Sequence, residues 1–274
     1  MAIATGVVVA TFGGKKKMNY IAPKEYFDRE IEELRDCSLK PIPHLGIIDA
    51  TAADDVSNQI YIRNKVKDFN LVGWKVDVYK TDEIEKAVAE ALADGCNSLI
   101  CQLPVREGVA FDAAMIPAQY DADGIADLGI VNSATPRGII DWLNACGYKF
   151  DGKNVVVVGR SKIVGRPMAR MLLDRNCTVS VVHSKTKHLD KVKLLERADL
   201  VIVAAGCRGV VTRAMCPRAG VVDVGINRDE NGKICGDFIE IEEYCDGGWS
   251  TPVPGGVGLL TRLGLLKNCM ELCE

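Results

Sequence analysis

Several features that mark other protein classes are missing from this chain of 274 residues. It has no apolar run long enough to cross a bilayer, which argues against a transmembrane role. Its net charge of -3 gives no general attraction for phosphate polymers, and no local basic patch indicates binding to nucleic acid or to a membrane surface. Hydrophobic residues make up 48% and charged residues 26%, as in ordinary globular proteins, so we expect a small-molecule partner.

The eleven cysteines also lack the spacing of metal-binding or redox motifs. No CxxC pair occurs and no His/Cys pattern fits zinc, so we expect no bound metal. Cys269 and Cys273 lie four residues apart on a predicted terminal helix, where a shared buried face is expected. Scattered, reduced thiols are typical of a reducing compartment and predict a cytoplasmic protein.

The first seventeen residues combine the apolar stretch TGVVVATF with two glycines and three lysines. A secretory signal carries its positive charge before the apolar region, and here the order is reversed, so we predict no signal peptide. Met18 could be an internal start, which would make residues 1–17 a leader or a mobile arm.

The first half of the chain alternates predicted helices with short apolar strands. Thr81 is a favourable N-cap for a helix that stops at Gly95. The other predicted elements are helices at residues 23–37 and 56–69 and strands at residues 44–49, 74–79 and 98–103.

A second alternating series begins after the sequence TPRG, where Thr135 is predicted to cap a helix that starts at Pro136. Its predicted strands lie at residues 155–158, 178–182, 200–204 and 221–224. The alternation predicts an α/β protein with two α/β domains, the second Rossmann-like, and a ligand cleft between them. We expect the first domain at residues 18–133, completed by a terminal helix at 256–274, and the second at residues 134–255.

Residues 154–167, NVVVVGRSKIVGRP, read as a strand, a glycine-rich turn and a helix start, which is typical of a phosphate-binding turn. Ser161 stands where the usual GxGxxG has its second glycine, so a tight turn without a ligand is the alternative. After the next strand, residues 183–187 carry basic and hydroxyl groups instead of the acid that holds an NAD ribose. This favours NADP, with an ordinary polar loop as the alternative.

Four polar side chains of the first half are candidates for chemistry. Tyr61 and Lys65 lie one helical turn apart, so a phenol could stack on a heterocycle beside an amine whose pKa is lowered by burial. Gln102 follows a buried strand and could orient a lysine or a ligand. Asp123 could accept two hydrogen bonds from an aminopyrimidine-like ring. Taken singly, the same patterns fit a solvated helix face, an amide cap and an Asp-Gly turn.

The run TPVPGGVG at residues 251–258 precedes the terminal helix. Its glycines would let the backbone approach a flat ligand, and its prolines would keep the loop open. A simple chain reversal fits the same residues.

Eight motifs occur in the order and approximate spacing of the methylenetetrahydrofolate dehydrogenase/cyclohydrolase family: YIRNK, CQLP, DADG, TPRG, GRSKIVGRP, HSKT, DVGIN and TPVPGGVG. The chain resembles this family from about residue 43 to its end. The resemblance implies NADP-dependent oxidation of 5,10-methylenetetrahydrofolate and hydrolysis of the methenyl product to 10-formyltetrahydrofolate. It also implies a homodimer.

The resemblance assigns roles to the candidate residues. Lys65 would handle protons, Gln102 would position it, Tyr61 would stack against the pterin, and Asp123 would bind the pterin amino edge. The implied folate contacts further include Pro254, Gly255 and Gly256. The implied cofactor-binding residues are Gly159, Arg160, Ser161, Ile163, Gly165, Ser184, Thr186 and Ile226.

Some residues depart from the family pattern at the folate end. Asn58 replaces a common serine, Ala134 replaces a cysteine, Leu259 and Leu260 replace a Pro-Met pair, and the segment after DADG is shortened. A dehydrogenase without hydrolase activity and a non-catalytic folate or dinucleotide sensor are therefore alternatives. A two-domain dehydrogenase of the shikimate or amino-acid type shares the layout, but YIRNK followed by PGGVG argues against it.

Overall fold

A computed structural model describes residues 22–126 and 130–274. The predicted leader at residues 1–17 lies outside this part of the chain. The structure divides into two compact units, one formed by residues 27–137 and 261–274 and the other mainly by residues 138–260. No helix in the described ranges combines the length and the hydrophobicity needed to span a bilayer.

The unit formed by residues 27–137 and 261–274 contains a three-stranded parallel sheet. Strand β1 (His44–Asp49) lies in the centre and is buried along its whole length, because helices and neighbouring strands cover it. Its partners are β2 (Lys75–Lys80) and β3 (Ser98–Cys101), both parallel to it. The helices that precede or connect these strands are α1 (Pro23–Asp36), α2 (Val56–Leu71) and α3 (Ile84–Ala93).

The other unit contains a five-stranded parallel sheet, in which the order of the strands is β12-β8-β6-β4-β5. Val156 and Val158 of β4 pack with apolar residues of β6 and β8 in a core of buried side chains. The strands of this sheet are β4 (Asn154–Val158), β5 (Thr178–Val182), β6 (Leu200–Val203), β8 (Gly220–Asp223) and β12 (Trp249–Ser250).

Helices and short strands complete the chain. The helices are α4 (Ala134–Ala145), α5 (Gly165–Leu173), α6 (His188–Glu196) and α7 (Val257–Glu271). The two-residue strands β7 (Val211–Thr212), β9 (Asn227–Arg228), β10 (Ile234–Cys235) and β11 (Phe238–Ile239) form two small ladders. Sequence patterns do not reveal these strands, because two residues are too few to show a periodicity.

Two predicted helix caps are wrong. The Thr81 hydroxyl accepts a hydrogen bond from the backbone N–H of Glu83 and lies 3.2 Å from the Glu83 carbonyl oxygen, so it closes a local turn. Helix α3 begins only at Ile84. Helix α4 begins at Ala134, which places Thr135 inside the helix and not at its cap. The predicted long strands and helices otherwise agree with the structure to within about two residues, the usual uncertainty of element ends.

A fully buried arginine, missed by the sequence analysis, stabilises the unit around residues 138–260. Arg213 is 0% exposed, and its guanidinium donates to both carboxylate oxygens of Glu240 at 2.7 and 2.8 Å. It also donates to the carbonyls of Ala219 and Trp249 and lies over the Phe238 ring. A buried charge is tolerated only when it is paired and hydrogen-bonded in this way.

Candidate functional site

Lys65 lies on α2 with only 7% of its surface exposed. Its Nζ atom donates a hydrogen bond of 3.0 Å to the amide oxygen of Gln102. Burial lowers the pKa of Lys65, while the carboxylate of Asp123 and the nearby groups of Cys269 and Cys101 act in the opposite direction. The amine therefore titrates below an ordinary lysine, as a group that exchanges protons requires.

Gln102 immediately follows β3 and is buried. Its Nε2 atom donates to Asn58 Oδ1 at 3.1 Å and to the carbonyl of Leu103 at 3.0 Å. Both amide hydrogens are thus used, and the amide oxygen remains for Lys65. The structure brings Lys65 and Gln102 together, and it adds Asn58 to them.

Asp123 lies in a turn that is held by the neighbouring Asp121. The Asp121 carboxylate accepts hydrogen bonds from the backbone N–H groups of Gly124 at 3.1 Å and Ala126 at 2.9 Å. Gly124 has a φ of +62°, and a Cβ there would lie 2.8 Å from the backbone of Asn132, so only glycine fits. Burial raises the pKa of Asp123, and the positive charge of Lys65 opposes this shift. The carboxylate and the amine are therefore electrostatic partners.

Tyr61 is half-buried and lies one turn before Lys65 on α2. Burial raises the pKa of its phenol, and the positive charge of Arg262 on α7 opposes this effect. The phenol is consequently protonated at neutral pH and presents an uncharged ring. Arg262 gave no signal in the sequence, because it approaches Tyr61 from an element about two hundred residues away.

Asn268 on α7 supports the segment that carries Asp123 and was also missed. Its amide nitrogen donates to the carbonyl oxygens of Ala122 at 2.6 Å and Asn132 at 2.8 Å, and its oxygen accepts from Arg137 at 2.7 Å. The side chain is completely buried. A single asparagine in an apolar helix has no local pattern that would reveal such a role.

The unit around residues 138–260 contains a cleft of about 430 Å³ at the carboxyl ends of β4, β5 and β6. The predicted cofactor-binding residues in its lining are Gly159, Arg160, Ser161, Ser184 and Thr186. The cleft adds His183, His188, Lys191, Cys207 and several small apolar residues. No carboxylate occurs among the described lining residues, so the cleft favours an anionic ligand.

The glycine-rich turn differs in detail from an open phosphate-binding turn. Ser161 Oγ accepts from the backbone N–H groups of Val164 at 3.2 Å and Gly165 at 3.3 Å, so part of the start of α5 is already hydrogen-bonded. A Cβ at Gly165 would lie 2.4 Å from the carbonyl oxygen of Gly159, which explains a glycine at this close crossing. The structure does not place Ile163, Gly165 or Ile226 in the lining of the cleft.

The loop before α7 has a shape that requires its glycines. Gly255 has a φ of +95°, and a Cβ at Gly256 would lie 2.2 Å from the carbonyl oxygen of Pro252. The Val253–Pro254 peptide bond is cis. These residues belong to the unit around residues 138–260.

Comparison with known proteins places this chain in a family. The family model for the NAD(P)-binding domain of tetrahydrofolate dehydrogenase/cyclohydrolase matches residues 133–274. The bifunctional protein FolD of Listeria innocua is 34% identical over 95% of this chain and 96% of that protein. The corresponding protein of Delftia acidovorans is 39% identical over 84% of this chain and 87% of its own length. The chain belongs to the tetrahydrofolate dehydrogenase/cyclohydrolase family.

Solved structures of this dehydrogenase/cyclohydrolase family have the same fold. FolD from Campylobacter jejuni superimposes with a TM-score of 0.82 at 34% identity, covering 92% of this chain and 96% of that chain. The Trypanosoma brucei enzyme, complexed with NADP cofactor and inhibitor, gives a TM-score of 0.84 at 27% identity, covering 94% and 98%. The predicted resemblance is confirmed, and the shikimate-type alternative is wrong.

The residues that depart from the expected family pattern have defined contacts in the structure. Asn58, in place of serine, contacts Gln102 directly. Ala134 is the first residue of α4 and is buried. Leu260 is completely buried, and its carbonyl oxygen would lie 1.9 Å from a Cβ at Gly138, so the glycine of TPRG is required by close packing.

Proposed function

We propose that this family member oxidises 5,10-methylenetetrahydrofolate with NADP and hydrolyses the 5,10-methenyl product to 10-formyltetrahydrofolate. The observation that carries the proposal is the buried amine of Lys65, hydrogen-bonded to Gln102 and electrostatically coupled to Asp123. A pure binding protein would have no need to bury an amine with a lowered pKa beside these two groups. The relatives that are named bifunctional FolD support the same function.

In the proposed hydrolysis, Lys65 moves one proton. The oxygen of a water molecule adds to the methenyl carbon while the neutral amine accepts a proton from that water. The ammonium then returns the proton to N5 as the bond between the carbon and N5 breaks, and the remaining hydroxyl proton leaves to solvent, which completes the C=O of the formyl group on N10. Asp123 balances the transient positive charge and, with the ring of Tyr61, binds the pterin.

The cleft at the ends of β4, β5 and β6 fits NADP. Its lining is basic and free of carboxylates among the described residues. Gly159 lies at the end of β4, where a Cβ would be only 2.1 Å from the carbonyl oxygen of Ala204, so the turn that lines the cleft requires a glycine. Arg160, Ser184 and Thr186 would hold the 2′-phosphate. NADP, when bound, supplies the hydride acceptor; the protein supplies orientation and charge balance.

The further assignments follow from the family resemblance. We assign folate binding to the unit of residues 27–137 and 261–274 and dinucleotide binding to the other unit, whose Pro254, Gly255 and Gly256 would contact the folate. We also propose a cytoplasmic homodimer. No disulfide joins any of the eleven cysteines, all of which lie in the described ranges, and this fits a reducing compartment. Light scattering after size exclusion tests the dimer, and cell fractionation tests the compartment.

A two-step assay tests the function. Reduced cofactor should appear with methylenetetrahydrofolate and NADP, and to a smaller extent with NAD in parallel. Methenyltetrahydrofolate should be hydrolysed by the wild type and not by Lys65→Met. Lys67→Met, two residues away and exposed, is the matched control and should keep both activities. Binding of both ligands without either turnover would refute the proposal, and oxidation without hydrolysis would identify a dehydrogenase alone.

A further inference from the structure

Four side chains near Lys65 form a continuous hydrogen-bonded chain that begins at the N-cap of α2. Asp55 Oδ1 accepts from the backbone N–H of Asn58 at 3.0 Å, and Asp55 Oδ2 accepts from the Asn58 amide nitrogen at 2.9 Å. Asn58 Oδ1 accepts from Gln102, whose amide oxygen accepts from Lys65. Asn58, Gln102 and Lys65 are all at least nine-tenths buried.

Asp55 starts a consistent order of donors and acceptors along this chain. A carboxylate has only acceptors, so the Asn58 side chain must present its nitrogen to Asp55 and its oxygen to Gln102. Gln102 must then present its nitrogen to Asn58, and its oxygen remains for Lys65. The orientation of the Asn58 amide is thus set by the carboxylate at the start of α2, and that of the Gln102 amide by Asn58 together with the carbonyl oxygen of Leu103.

The orientation of the Gln102 amide decides what Lys65 can do. When a carbonyl oxygen faces the amine, Lys65 donates a hydrogen to it in either protonation state, and the lone pair of the neutral amine points elsewhere. With the amide inverted, the Gln102 nitrogen would donate to that lone pair and occupy it. We propose that Asp55 is a positioning residue that, through Asn58 and Gln102, keeps the Lys65 lone pair free for the attacking water; this rests on the function proposed above.

The substitution Asp55→Asn tests the effect of the Asp55 carboxylate on the orientation of the two amides. Asparagine caps helices about as well as aspartate, so its oxygen should keep the bond to the Asn58 backbone and the fold should be retained. Its amide nitrogen would then face the amide nitrogen of Asn58, and two donors cannot bond to each other. Rotation of the Asn58 amide by 180° removes this clash, and the Gln102 amide must then rotate as well. The bond from Gln102 to Leu103 opposes the inversion but satisfies only one of the two amide hydrogens.

The inversion should change hydrolysis in a characteristic way. The kcat for methenyltetrahydrofolate should fall about tenfold, the rate change of one hydrogen bond, because the lone pair is occupied. The pH of half-maximal hydrolysis should fall by about one unit, because the inverted amide favours the neutral amine. Asp123, Cys101 and Cys269 also face the amine, and they are unchanged in this variant. KM and the dehydrogenase rate should be unaffected.

The exchanged double variant Asp55→Asn with Asn58→Asp provides the rescue. It restores the order of donors and acceptors, because the carboxylate introduced at position 58 accepts from both residue 55 and Gln102. Hydrolysis should recover most of the loss, and its pH of half-maximal rate should return to the wild-type value or slightly above it, since the charge is now closer to Lys65. Asp112→Asn, the same substitution at an exposed turn cap, is the control.

The outcomes separate this inference from the proposed function. If the wild type does not hydrolyse methenyltetrahydrofolate, the proposed function is refuted. The role of Asp55 can still be tested in that case, because NMR titration reports the pKa of Lys65 in each variant. An Asp55→Asn protein with an unchanged Lys65 titration and an unchanged pH profile would overturn the inference. So would a double variant no better than the single one, or an equal loss of the dehydrogenase activity.

Discussion

Asp68 and Arg262 form a largely buried ion pair between α2 and α7. The Asp68 Oδ2 and Arg262 Nη1 atoms lie 3.0 Å apart, and the side chains are only 3% and 13% exposed. The guanidinium also lies over the ring of Phe27, 5.1 Å from its centre. Because Asp68 follows Lys65 by one turn of α2, this pair ties the helix that carries Lys65 to the terminal helix.

The pair predicts a pH dependence of stability. Burial raises the pKa of Asp68 from 3.8 to about 6, although Arg262 and Lys67 oppose the shift. Since the folded-state pKa lies above the unfolded one, the contribution of Asp68 is present below about pH 4 and is lost as the pH rises to about 6. The loss amounts to about 3 kcal/mol, at 1.4 kcal/mol for each pKa unit.

Urea denaturation at several pH values checks this prediction. The free energy of unfolding of the wild type, measured relative to that of Asp68→Asn, should fall between about pH 4 and pH 6. Above about pH 6 this difference should stay constant. Asp54→Asn, at an exposed position of the same unit, should reproduce the wild-type curve. Parallel curves for the wild type and Asp68→Asn would show that the buried carboxyl does not titrate in this range.

Asn268 leads to a second prediction, because it joins two backbone segments on either side of the turn that holds Asp123. Asn268→Leu leaves the carbonyls of Ala122 and Asn132 without this donor and removes a partner of Arg137. We expect a loss of about 2–4 kcal/mol in the free energy of unfolding, from unpaired buried groups. The KM for the folate substrate should rise several-fold.

Two measurements separate these effects. Denaturation gives the stability, and steady-state assays below the unfolding temperature give KM in the folded fraction. Asn144→Leu, at an exposed position of α4, should alter neither quantity appreciably. An Asn268→Leu protein that is destabilised but keeps the wild-type KM would show that this amide supports the fold and not the folate site.

The elements that sequence patterns predicted well are those with a strong local signal. β1 and β5 begin and end at the predicted residues, because compact apolar or β-branched runs are bounded by polar residues. Thr81 is a residue type that commonly caps helices, but here its hydroxyl accepts a hydrogen bond from the backbone N–H of Glu83 in a short turn before the helix. Sequence cannot distinguish these alternatives, because the same side chain and the same backbone groups serve both.

Residues of the candidate site were predictable from the sequence only where they lie in a recognisable family motif. Lys65 and Gln102 are 37 residues apart, and the family resemblance alone suggested that they meet. Asp55, Asp68 and Arg262 were missed, because their function depends on partners brought near by the fold and not on neighbours in the chain. Asn58 was noticed as a departure from the family pattern, yet its contact with Gln102 appears only in the structure.

Arg160 leads to the third prediction, which concerns the cofactor. It is exposed at the cleft lined by Ser184 and Thr186, where no described carboxylate opposes a phosphate. A charge-assisted hydrogen bond to the 2′-phosphate contributes about 1.5–3 kcal/mol. Arg160→Gln should therefore raise the KM for NADP by about tenfold or more, since 1.4 kcal/mol corresponds to a factor of ten. The KM for NAD, which lacks this phosphate, should change little.

The dependence of the KM values for NADP and NAD on salt concentration gives a second test of this contact. Higher ionic strength screens the exposed guanidinium, so the wild-type preference for NADP should shrink with salt, while that of Arg160→Gln should be nearly independent of it. Ser184→Asp should act in the same direction as the arginine variant, because it places a carboxylate beside the phosphate. Arg166→Gln, exposed on α5 outside the lining, is the control. Equal losses for NADP and NAD in Arg160→Gln would mean that Arg160 contacts the shared pyrophosphate instead of the 2′-phosphate.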